Sequence, residues 1–129
     1  MDTFYFYRYE LVERSDNSFT LRVVFNGKHP VFDGHFPSKP VVPGVMIMQT
    51  VKECFEDIKK MKLLIETADL KFTNPVLPGD DNPLLIDLAY SRIDKEKYEV
   101  RSKGYFKEVG YFKMRLSLSE EKTSQQFME

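Results

Sequence analysis

Residues 28–62, KHPVFDGHFPSKPVVPGVMIMQTVKECFEDIKKMK, are the stretch from which the rest of this chain can be read. Pro37, Pro40 and Pro43 fall within seven residues. Proline locks φ and pushes the residue before it out of the helical region, so this part is an extended loop. His35 stands at its start and Gly44 at its end. From Val45 to Lys60 the spacing turns helical: Val45, Met48, Val51, Phe55 and Ile58 recur every three or four residues, with Lys52, Glu53, Glu56, Lys59 and Lys60 between them. The first turn, Val45 to Met48, is apolar nearly all round, which predicts a deeply buried helix start. Sixteen residues at about 1.5 Å each extend roughly 24 Å, the width of a small sheet.

The start of that helix has a chemistry of its own. Its first N–H groups lack intrahelical acceptors and sit at the positive end of the helix dipole, so they favour a developing negative charge, and a glycine there leaves room for another molecule to approach. One short segment thus offers a base, His35, and an oxyanion site at Gly44. Taken alone, the same two residues read equally as a loop histidine and a helix-entrance glycine.

Working outward, residues 4–12 are rich in Phe and Tyr and read as a strand with apolar surroundings on both sides. After the Asp16-Asn17 turn, Phe19, Leu21, Val23 and Phe25 alternate with Thr20, Arg22 and Val24, a half-buried strand closed by Asn26-Gly27. Beyond the helix, Leu63–Phe72 and Leu84–Tyr90 read as strands separated by the Pro75, Pro78, Gly79 turn. Tyr98–Phe106 and 112–118 alternate in the same way across a hairpin at Lys107–Gly110. Two strands, one long helix and four strands form an α+β domain, a six-stranded antiparallel sheet wrapped round the helix. One domain, 1–129, accounts for the whole chain, with a polar tail at 119–129 expected to fray.

Composition narrows the function. A formal net charge of −1 gives no bulk attraction to nucleic acid or anionic membrane. Cys54 is the only cysteine, so no intrachain disulfide forms, and with histidines only at 29 and 35 a His/Cys zinc site lacks ligands. No cofactor motif occurs. No run approaches the roughly 20 apolar residues of a membrane span, and the N-terminus lacks the pattern of a signal peptide, so a cytoplasmic protein is expected.

The run GHFPSKPVVPGVMIMQ resembles the active-site segment of the bacterial beta-hydroxyacyl-acyl-carrier-protein dehydratases of the hotdog fold, which carry a GHFP, a second proline, a PG and then the central helix. KFTNPVLPGD, residues 71–80, resembles the strand and turn after that helix in the same family. The likeness is clear from about 28 to 80 and extends in strand pattern to about 118. It implies a hotdog fold, an acyl carrier protein or acyl thioester as partner, and homodimers whose sites combine a histidine from one chain with a helix carboxylate from the other. It also implies that His35, Gly44 and the helix position at 49 are catalytic, and that Phe36, Pro43, Val45 and Met48 contact the acyl group. One departure stands out: fourteen residues after the histidine the family carries Glu or Asp, and this chain carries Gln49.

An amide donates a hydrogen bond but transfers no proton, and losing a general acid typically costs about 10²- to 10⁴-fold. Three outcomes remain open: His35 serves as both base and acid with Gln49 holding substrate; a heterodimeric partner supplies the carboxylate; or the chain only binds acyl groups or carrier protein. Thioester hydrolysis on the same fold ranks below these. Glu53, one turn beyond Gln49, is a substitute acid or a partner for neighbouring lysines, and Asp33 orients His35 or forms a turn. His29 reads as structural or exposed. Lysines 52, 59, 60 and 62 either face an acidic carrier protein or form a solvated helix face.

Overall fold

The computed structural model describes residues 5–33 and 40–121. In chain order they form β1 (Tyr7–Arg14), β2 (Ser18–Phe25), a 3-10 turn (Pro30–Phe32), α1 (Gly44–Lys59), β3 (Leu63–Phe72), β4 (Leu84–Asp94), β5 (Lys97–Phe106) and β6 (Val109–Glu120). The strands make one six-stranded sheet, in the order β1-β2-β4-β5-β6-β3, and every neighbouring pair is antiparallel. This is the hotdog architecture. Because β2 lies near one edge and β3 forms the other, α1 carries the chain across the sheet. Its length of about 24 Å is enough for the four inter-strand steps of about 4.8 Å that separate β2 from β3.

The alternation read in the strands falls on the face that α1 covers. Phe19, Leu21 and Val23 of β2 lie opposite Leu88, Ile86 and Leu84 of β4, and all six are buried with Val100, Leu116 and Leu118. Phe55 of α1 meets the edges of Tyr90 and Tyr98, with ring centroids 5.1 and 6.0 Å apart. Thr50, also buried, satisfies its hydroxyl by donating to Met46 O at 2.8 Å. The helix ends where Lys60 turns left-handed, at φ 57°.

The buried stripe of α1 differs from the expected one. It is centred on Ile47, Val51, Cys54 and Phe55, and Val45, two residues from Ile47 and so about 200° round the helix, faces away from the sheet. Val45 is 62% exposed, not a core residue. The N-terminal strand is also corrected. β1 is an edge strand with a single neighbour, β2. Tyr7 and Tyr9 turn toward α1, while Arg8 and Glu10 point outward to ion pairs with Asp80 and Arg22 at 3.1 and 3.5 Å. It is therefore not apolar on both sides.

Strand ends differ as well. β4 continues past Tyr90 to Asp94, opposite Lys97 of β5. β6 takes in Gly110 and runs to Glu120, where Ser119 and Glu120 pair with Leu64 and Leu63. Ser119 and Glu120 thus belong to the sheet rather than to a frayed tail; residues 122–129 lie outside the described residues. Among the described residues no helix is long and apolar enough to cross a membrane.

Candidate active site at the helix start

Two hydrogen bonds bring the two sequence motifs together. Val42 N donates to Val76 O at 2.8 Å, and Gly79 N donates to Phe25 O at 2.8 Å, so the loop before α1 lies against the turn after β3. Pro43 is the N-cap, with no side-chain cap. Its carbonyl accepts from Met46 N and Ile47 N at 3.0 and 3.2 Å, which leaves the Gly44 and Val45 N–H groups without an intrahelical acceptor. No acidic residue occupies the first turn to neutralise them. Gly44, though not Val45, lines a cleft of about 400 Å³ with Val41, Pro43, Phe72 and Pro75.

Phe72 explains part of the need for glycine. A Cβ on Gly44 would sit 2.9 Å from Phe72 Cε2 and 3.1 Å from Cζ, closer than a side chain tolerates without the ring moving. The ring itself is 41% exposed. Glycine at 44 therefore lets this chain's own phenyl ring approach the helix, beside the amides that a ligand would use. Phe72 carried no signal beyond the end of an apolar strand; the glycine is the place where a close neighbour could have been suspected.

Gln49 is half-buried and its amide nitrogen donates to Glu53 Oε2 at 3.2 Å. The other oxygen of Glu53 accepts from the Tyr7 hydroxyl at 3.0 Å. One turn on, Tyr9 donates to Asp57. β1 thus clamps the polar side of α1 through two phenols. Burial, reinforced by Cys54 and Glu53, pushes the Tyr7 pKa well above its usual 10.0; burial and the bond to Asp57 do the same for Tyr9. Burial also pushes the Cys54 thiol up to about 12. That makes Cys54 an inert core residue rather than a nucleophile.

The remaining expected residues divide. His35 and Phe36 lie outside the described residues, so the pairing of His35 with Gly44 stands on sequence. Pro43 is exposed beside the cleft, and Met48 is half-buried against the core. His29 is structural: its Nδ1 accepts from Val31 N at 3.0 Å and its ring meets Phe6. Asp33 ends the 3-10 turn, its N–H bonded to Pro30 O at 3.0 Å. The helix lysines are not one solvated row. Lys52 pairs with Glu56 at 3.4 Å, with both side chains largely covered. Lys59 donates to the Tyr90 hydroxyl at 2.9 Å. Lys60 and Lys62 are exposed. No group of three or more His, Cys, Asp or Glu among the described residues could hold a metal ion.

Comparison with known proteins identifies the family and the fold. The family model of the ApeI-like proteins, described as ApeI dehydratase, matches residues 11–109. A 3-hydroxyacyl-[acyl-carrier-protein] dehydratase FabZ of Ehrlichia chaffeensis is 31% identical over 83 residues, which cover 60% of this chain and 57% of that protein. The chain thus spans a little over half the length of such curated relatives. Among solved structures, the dehydratase heterocomplex ApeI:P from Xenorhabdus doucetiae superposes with a TM-score of 0.66 at 19% identity, over 88% of this chain and 95% of that one. A hypothetical thioesterase with coenzyme A from Streptococcus pneumoniae TIGR4 gives 0.65 at 8% identity, over 88% and 86%. At these identities the superpositions speak for the fold alone.

Proposed function

The chain belongs to the ApeI-like dehydratase family, and on that footing we propose that it removes water from 3-hydroxyacyl groups carried as thioesters on an acyl carrier protein. The observation that carries the reading is the bare start of α1, uncapped by any side chain, with Gly44 lining a cleft. Those donors suit the oxygen of a thioester, where negative charge develops when the neighbouring carbon loses its proton. His35, ten residues or less from both in sequence, is the base. Its imidazole changes protonation state near neutral pH, so it can take the C2 proton and return it.

Gln49 takes a role that an acid would not. Within one chain Gln49 and Gly44 line different clefts, so on this reading they reach one substrate across two copies of the chain; the Gln49 NH₂ is turned to Glu53, and its carbonyl oxygen accepts the hydrogen bond of the substrate hydroxyl. That leaves a lone pair of the hydroxyl oxygen directed at the imidazolium. The C2–H pair becomes the C2=C3 double bond, the C3–O bond breaks, and the departing hydroxide takes the proton from His35 and leaves as water. Tyr7 and Glu53 are positioning residues, because they act only by fixing the Gln49 amide.

A second reading is favoured by two observations. Val45 is exposed on the far side of α1, and β3 is a ten-residue edge strand carrying Leu64, half exposed, and Phe72. Long edges and apolar helix starts of this kind are covered by partner subunits. A partner of the same fold with a helix carboxylate would supply the acid that this chain lacks, as a heterodimer; a second copy would make a homodimer with two amide-bearing sites. The test is hydration of a trans-2-enoyl carrier-protein thioester by the purified chain. Activity that disappears in His35→Ala supports the self-sufficient site; activity only after mixing with an acid-bearing relative supports the heterodimer. Equal traces in wild type and His35→Ala, alone and mixed, would sink both.

A further inference from the structure

The face of the sheet that α1 does not cover carries an arrangement unrelated to the helix start. In register across β5, β6 and β3, Lys103 lies opposite Lys113 and Lys113 opposite Lys71. One step along, Arg101 lies opposite Arg115. Like charges directly opposite on neighbouring strands destabilise a sheet, so a row of three lysines is kept at some cost to the fold. Within 69–71, 99–103 and 113–115 there are five cations against Asp69 and Glu99, in a chain of formal net charge −1. Glu99 answers both arginines, at 2.6 and 3.9 Å, and Asp87 answers Lys103 at 3.9 Å. Lys71 and Lys113 have no ion pair among the described residues. All five cations are exposed, and a cleft of about 700 Å³ runs over them.

We infer that this outer face, over β3, β6 and β5, is a docking surface for an acidic protein that presents a helix with carboxylates at three- and four-residue spacing. Charge and geometry choose the occupant. Adjacent strands hold the lysines about 4.8 Å apart, close to the roughly 5–6 Å between side chains at i and i+4 on a helix. A second copy of this chain is disfavoured, because a two-fold contact through this face sets lysine against lysine. A nucleic-acid backbone is disfavoured as well, since a chain of formal net charge −1 offers no long-range attraction to a polyanion beyond this one face. A protein surface of mixed but mainly acidic character fits both signs.

The inference does not depend on the dehydratase reading, and enoyl hydration measured on the same samples keeps the two apart. The probe is a fluorescein-labelled helix-forming peptide with glutamates at that spacing, titrated with the full chain and followed by anisotropy at low salt. Binding should weaken as salt rises, and the double variant Lys71→Glu/Lys113→Glu should lower affinity about tenfold or more. The same variant should melt no lower than wild type, because positions 71 and 113 stay a like-charged pair as before while 113 now meets Lys103 with opposite charge; a loss of binding through misfolding is thereby excluded. Lys60→Glu/Lys62→Glu, equal in charge change but at the helix end, should leave binding unchanged. Equal weakening by the two double variants would reduce the effect to bulk charge and overturn the proposal. So would absence of binding at low salt, or tighter binding to a duplex RNA than to the peptide.

Discussion

Replacing the amide at 49 by a carboxyl tests the role given to that position most stringently. In the wild type the Gln49 amide nitrogen is 3.2 Å from Glu53 Oε2. Gln49→Glu places two carboxyls at about that separation. Two unit charges so close repel by about 5 kcal/mol at an effective dielectric of 20 and by about 1 kcal/mol in bulk water. One tenfold change in a protonation equilibrium takes about 1.4 kcal/mol, so the pair holds a shared proton roughly one to four units above the ordinary carboxyl range. The introduced group is then partly protonated near pH 6 to 7, where an acid is useful. A general acid contributes about 10²- to 10⁴-fold when fully protonated and aligned, and partial protonation leaves an expected gain of about ten- to a hundredfold in enoyl hydration. Initial rates measured from pH 5 to 9 should show an activity limb that falls as pH rises through the pair's upper titration. Adding Glu53→Gln removes the like charge, so that limb should move down by about one unit or more. A rate rise unchanged in pH profile by Glu53→Gln would refute the coupling between the two positions. No rise in Gln49→Glu, with His35-dependent activity intact, would refute the placement of residue 49 at the substrate hydroxyl.

Other expectations follow from the same contacts. Gly44→Ala forces Phe72 off the helix start; it should cost about 1–3 kcal/mol in denaturant unfolding and depress hydration more than Phe72→Leu does. Phe55→Ala removes a fully buried ring packed between Tyr90 and Tyr98 and should cost about 3–5 kcal/mol by urea titration. The pKa values of Cys54, Tyr7 and Tyr9 are all raised in the folded chain. Raised values of this kind stabilise fully below the unfolded-state pKa and are lost as pH rises toward the folded one. The melting temperature should therefore hold from pH 7 to about 8 and fall as pH rises through about 8.5, where unfolded cysteine ionises. Cys54 should resist thiol reagents at pH 8 until the chain unfolds.

Much of the fold was legible because its signals were redundant. The helix from 44 to 59 combined a proline-fixed start with a three- and four-residue apolar spacing, and β2, β4, β5 and β6 alternated over most of their length. What stayed hidden depended on partners across the sequence. Val45 was assigned to the buried stripe because an apolar first turn does not reveal which side meets the sheet; packing of Ile47 and Val51 decided it. The β1 aromatics suggested burial on both faces, but an edge position cannot be read from composition. At the site, Gly44 and Gln49 were visible from motif spacing. Phe72 and Tyr7 were not, since each acts through a contact formed by residues 28 or more positions away. The lysine row likewise exists only after register is known.

The central claim is that one imidazole and the uncapped amides at the start of α1 together loosen the proton next to a thioester carbonyl. Exchange of that proton is its most direct test: a 3-hydroxyacyl carrier-protein thioester is incubated with the chain in heavy water, and deuterium at C2 is read by mass spectrometry. The chain should catalyse exchange whether or not water is lost, and His35→Ala should abolish it. Exchange at the same rate in His35→Ala, or none in a wild-type chain that binds the thioester, would contradict the claim.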